Sequence, residues 1–85
     1  MNGKKKVYLC SCEKCLEDPS DPDAQEHERI NLMMNTFSER DRRLFAGHLS
    51  ISMGHGGDSA VAEITGMSPK TIQRGREELE QKKNL

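Results

Sequence analysis

The run Asp58 to Glu77, DSAVAEITGMSPKTIQRGRE, constrains this chain's fold more than any other stretch. It reads as helix, tight turn, helix. The Asp58 carboxylate is placed to cap the first helix by accepting backbone N–H groups of its opening turn. Val61, Ala62 and Ile64 give that helix an apolar side. Gly66 follows, and glycine enters the left-handed conformation of a sharp helix exit without a Cβ clash. Ser68 then caps a second helix, with Pro69 at the first position, where a missing N–H is harmless. Ile72 and Leu79 lie two turns apart on its inner side.

Offsets make this more than a helical hairpin. Ala62 is small where one helix must cross the other, Gly66 sits at the bend, and Ile72 packs the second helix back. A helix-turn-helix that reads DNA needs those properties at that spacing. The outward residues of the second helix are Pro69, Lys70, Thr71, Gln73, Arg74 and Glu77. Near the N-terminus this set is polar and basic, suited to base edges and phosphates. The competing reading is an ordinary hairpin whose charges only face water.

Charge is distributed unevenly. The chain of 85 residues has net charge -1, which argues against a strongly basic nucleic-acid coat. Seven acids lie between residues 13 and 29 (Glu13, Glu17, Asp18, Asp21, Asp23, Glu26, Glu28) against Lys14 and Arg29. Lys4, Lys5 and Lys6 precede them, and from residue 30 onward basic and acidic residues nearly balance. Any positive surface is therefore local, and DNA affinity should be modest and salt-dependent. Hydrophobic residues make up 33%, so the core is small, and domains of this size often recruit a metal or a partner. The sequence shows neither a signal peptide nor an apolar run of bilayer length, and a cytoplasmic, nucleoid-associated protein is expected.

Cys10, Cys12 and Cys15 have C-x-C-x2-C spacing, close enough to converge on one tetrahedral ion such as zinc. His27 is the nearest histidine and the candidate fourth ligand, making a closed structural site of three thiolates and one imidazole. Three ordinary reduced thiols beside a flexible linker, or redox-sensing thiols, are the other readings. His48 and His55 are expected at the surface or half-buried.

The remaining chain is expected as follows. Residues 1–6 fray, and Val7, Tyr8 and Leu9 form a short strand. Residues 1–22 form the cysteine segment and acidic linker, whose EDPSDPD run is broken by two prolines. Residues 23–85 form a helical domain, with the helix-turn-helix at 58–81. Its first helix begins near Asp23 or Ala24 and carries a core-facing stripe of Ile30, Met33, Met34 and Phe37. Ser38 and Asp41 form a capping box for the next helix. Arg40, Arg42 and Arg43 lie mostly outward at its start; Leu44, Phe45, Leu49, Ile51 and Met53 supply its inner side. Gly54-His55-Gly56-Gly57 ends it and lacks the Lys and Ser/Thr of a phosphate loop. The last residues, Gln81 to Leu85, fray. The class is all-α: three or four helices around a small core, with a short cysteine-containing N-terminal segment.

These residues resemble a family. The run from Phe37 to Glu80 is similar to the N-terminal domain of ISAzo-type insertion-sequence DDE transposases of bacteria. The matching features are Glu39, Arg40, Arg42, Arg43, Leu44 and Ala46; Gly56-Gly57; Ser59 to Ala62; Thr65 to Ser68; Thr71-Ile72; Arg74-Gly75; and Glu77 to Leu79. The resemblance covers about half the chain and implies a helix-turn-helix that binds transposon ends, beside a separate catalytic domain. It implies DNA contacts by Ser68, Pro69, Lys70, Thr71, Gln73 and Arg74. No carboxylate triad can be assigned, so catalysis is not implied, and the cysteine segment departs from the family pattern.

Sequence-specific binding of double-stranded DNA is thus the leading expectation, with Arg40 and Arg43 on the flanking backbone. Gly75 would let the backbone approach DNA or a neighbouring helix. The alternative is a small helical protein-interaction module or adaptor, which the acidic linker and an exposed Met33–Met34 stripe would serve. A protein partner or a parent catalytic domain fits either reading. An enzyme is not expected: no nucleophile–base pair, open metal site or cofactor loop appears at usable spacing.

Overall fold

The structure, a computed structural model, describes residues 7–82. The expected fraying of residues 1–6 and 83–85 lies outside it. Five helices follow one another: α1 (Glu13–Glu17), α2 (Pro22–Met34), α3 (Glu39–Met53), α4 (Gly57–Thr65) and α5 (Pro69–Glu80). The fold is all-α, with five helices where three or four were expected, the short α1 lying inside the cysteine segment.

Local chemistry sets the boundaries. Asp21 caps α2 by accepting the Asp23 N–H, and Pro22 takes the first helical position. Ser38 accepts the Asp41 N–H and starts α3. Ser68 accepts the Thr71 N–H and starts α5 behind Pro69. Gly66 has φ of 77° and closes α4 with its N–H on the Ala62 carbonyl.

α5 packs on α3 and α4, α2 packs on α4, and α1 packs on α2. Val61 and Ile72 are fully buried, with Ile30, Met34, Ala46, Ile64 and Cys10 around them. Phe37 and Phe45 close one side edge-to-face, with ring centroids 5.5 Å apart.

Several expectations are corrected. Val7 to Leu9 is not a strand; the Tyr8 ring instead lies over Gly66, where a Cβ would come 2.6 Å from it. Asp58 does not cap α4. Gly56 occupies that position, and Asp58 lies inside the helix, accepting from Ser50 and from Arg76. In α2 the inward stripe includes Asn31 while Met33 is 51% exposed. The inward face runs through Ala24, Ile30, Asn31 and Met34, and because α2 ends at Met34, Phe37 reaches the core from a turn and not from the helix face. The Asn31 side-chain amide donates 2.7 Å to the Ile64 carbonyl, supplying a partner to the open end of α4.

In α3, Ile51 and Met53 are exposed, and the buried positions are Ala46, Gly47 and Ser50. The inner side is narrow because α5 crosses at backbone contact. A Cβ on Gly47 would lie 2.5 Å from the Arg76 backbone nitrogen, and one on Gly75 would strike the Arg43 carbonyl oxygen. Gly75 therefore serves the approach of α5 to α3.

Candidate metal centre and helix-turn-helix surface

Cys10 lies outside any helix, Cys12 is the N-terminal flanking residue of α1, and Cys15 is within α1's single turn. That turn brings Cys15 back beside Cys10 and Cys12. His27, in the second turn of α2, comes in from the other side. The four ligand atoms lie within 4.8 Å of one another. Each sulfur is 3.4 Å from His27 Nδ1.

Those distances do not suit hydrogen bonding alone. One imidazole nitrogen has one lone pair or one proton, so it can serve one thiol well and not three. A common centre accounts for the equality. With zinc–sulfur near 2.3 Å and zinc–nitrogen near 2.05 Å, a tetrahedral sulfur–nitrogen edge is about 3.6 Å. The cluster can therefore hold a metal ion, and it spans the boundary between the cysteine segment and the helical domain.

Its electrostatics call for a cation. Burial pushes the Cys10 thiol up. Burial and the crowding of Cys10 and Cys12 push Cys15 up to about 12. Cys12 is also raised by burial, but hydrogen bonds from the Cys15 and Lys14 backbone and from the neighbouring thiols outweigh this and leave it below its ordinary value. Three thiolates this close repel one another, and a divalent cation reverses that balance. The Cys12 N–H donates 3.3 Å to Cys10 Sγ, a contact that favours a charged sulfur. His48 and His55 are exposed and stand outside the cluster.

On the helix-turn-helix, Ser68, Pro69, Lys70, Gln73, Arg74 and Glu77 are exposed and Thr71 is half-buried. Ser68 and Thr71 hydroxyls share a hydrogen bond of 2.9 Å, so both are engaged at the cap. Gln73 reaches Glu77 at 3.3 Å. Arg74 is 68% exposed and touches Glu78 at 3.4 Å through Nε, which leaves its two terminal nitrogens toward solvent.

The arginines at the start of α3 divide. Arg40 is exposed, as expected. Arg42 turns inward, its Nε donating 3.1 Å to the Met34 carbonyl. Arg43 is only 15% exposed and pairs with Glu78 at 2.8 Å, so its expected outward placement is corrected. That guanidinium holds the Glu78 carboxyl below its ordinary range, with help from Arg74. Arg42, Arg43 and Arg74 nonetheless line one groove of about 350 Å³, with Ser68, Thr71 and Glu39, where the N-terminal ends of α3 and α5 meet.

Sequence reasoning overlooked Asn31, Gly47, Arg76 and Glu78. Gly47 carried a signal: a glycine inside a helix pattern often marks close approach. The Arg76–Asp58 and Arg43–Glu78 pairs carried none, since nothing local links residues so far apart in sequence.

No helix among the described residues is long and apolar enough to cross a membrane. Protein-family profiles, curated proteins and solved structures yielded no match to this chain.

Proposed function

We propose that this chain is a sequence-specific double-stranded-DNA-binding module whose α5 enters the major groove, stiffened by a structural zinc ion. The observation that carries the DNA reading is the α4–Gly66–α5 turn with Lys70, Gln73 and Arg74 exposed on its outer side. Arg74 offers a two-nitrogen fork to guanine or phosphate, Gln73 an amide to adenine, and Lys70 a point charge to phosphate. The arginine-lined groove between α3 and α5 favours a backbone phosphate beside them. The likeness to the end-binding domain of ISAzo-type transposases supports the same reading, with catalysis left to another domain.

Zinc is the ion the donor set fits best. Three sulfurs and one imidazole nitrogen, all within 4.8 Å of one another, would complete a tetrahedral ion and leave no open position, which is the pattern of a structural site.

Binding-site selection on random duplex DNA tests the function, with metal content measured on the same sample. The expected result is one enriched motif, affinity that rises steeply as salt falls, and about one zinc per chain. Arg74→Ala should weaken binding to the selected site by about 1–3 kcal/mol. Absence of DNA affinity at low salt would refute the reading.

A further inference from the structure

A second surface lies on the metal lobe, away from α5. Leu9 and Leu16 are 78% and 71% exposed. With Tyr8, Pro19, Ala24 and Glu28 they line a groove of about 250 Å³. Single exposed leucines are common and need no explanation. These two differ because their neighbours fix them. Cys10 and Cys15 belong to the metal cluster, and the Ser11 N–H donates 3.3 Å to the Glu63 carbonyl of α4. The groove is therefore preformed when the cluster is loaded, which lowers the entropy cost of filling it.

Its rim is acidic. Among residues 13–29, Asp23 pairs with Lys14 and Glu26 with Arg29. Glu13, Glu17, Asp18, Asp21 and Glu28 form no ion pair with any described residue. This charge selects the occupant. Duplex DNA and an anionic membrane would be repelled. A two-fold contact between copies would set acidic rim against acidic rim. What fits is a peptide segment with apolar anchors flanked by lysine or arginine. We propose that the metal lobe is a docking site for such a segment of a partner protein, in addition to and independent of the DNA surface.

The test is to pan a randomised displayed-peptide library on the zinc-loaded full chain, then titrate the enriched peptides calorimetrically. Enriched peptides should pair apolar residues with basic flanks. Leu9→Ser with Leu16→Ser should weaken them at least about tenfold, the order expected when a buried leucine contact is lost. Glu17→Lys with Glu28→Lys, at two exposed positions, should weaken them as well and flatten their salt dependence. Unchanged metal content and circular dichroism would certify that the variants fold. The proposal falls if no peptide is enriched, if enriched peptides lack basic residues, or if the variants bind them equally. It falls equally if the leucine pair proves to be a self-association contact by sedimentation.

Discussion

Gly75 carries more of the fold than its size suggests. Its missing side chain lets α5 lie directly on the Arg43 carbonyl of α3, and Gly47 does the same from the other helix. Gly75→Ala must push the two helices apart, because the obstacle is backbone that cannot rotate away. The expected destabilisation is about 3 kcal/mol or more, at the upper end for overpacking, read by denaturant unfolding of the metal-loaded chain. Ser68→Ala should cost only about 1 kcal/mol, the usual loss of one helix cap. A comparable loss in both variants would mean that α3 and α5 do not cross at these glycines.

Between elements, the fastening of α4 to α5 is ionic as well as apolar. Asp58 accepts 2.9 Å from Arg76 Nε and 2.8 Å from Nη2, and also takes the Ser50 hydroxyl from α3. Arg76 foremost, then Ser50, holds its carboxyl below the ordinary carboxylate range. A depressed acid adds stability that is fully present above the unfolded value, near pH 4, and is lost as pH falls through the folded value. Asp58→Asn should therefore lower the melting temperature at neutral pH. The gap from wild type should begin to narrow below about pH 4 and close as pH falls through the lower folded value, below which both chains lack the charge. A gap constant across that range would remove the carboxylate from this role. The sequence reveals Ser38, Gly66, Ser68 and Pro69 because caps and turns depend on residues within a few positions of one another. It marks Asp58 as a cap for the same reason, since Asp at a helix start ordinarily does that. Its actual partner is eighteen residues away, set by the angle at which α5 returns. Met33 falls outside the core for a like reason: periodicity gives the width of the stripe, but packing on α4 and α1 selects the face through Ala24, Ile30, Asn31 and Met34. Cys10, Cys12, Cys15 and His27 were legible as a set because thiols at such short spacing have few structural reasons to cluster.

At the scale of the whole molecule, an acid-rich lobe and a nearly charge-balanced helix-turn-helix half meet at α4. The metal lobe carries seven of the chain's fourteen acids and, among the described residues, meets the helix-turn-helix where α2 and the Cys10 segment contact α4 and the turn. Removing metal should then act unevenly. α1 has no buried residue and only one turn of its own, so it should melt. Tyr8 and Ser11 should leave Gly66 and Glu63 with it. The C-terminal half of α2 keeps Ile30, Met34 and the Asn31–Ile64 hydrogen bond, and α3 and α5 keep their backbone crossing. Hydrogen exchange with and without a chelator reads this directly. Amides from Cys10 to about His27 should lose protection, while those of α3 and α5 retain it. Uniform loss would make the cluster the keystone of the entire core, and no loss would mean that the four ligand atoms hold nothing the helices need. The intermediate result has a functional corollary: the chelated chain should still bind the selected DNA, with affinity lowered only by the looser turn that Tyr8 no longer covers.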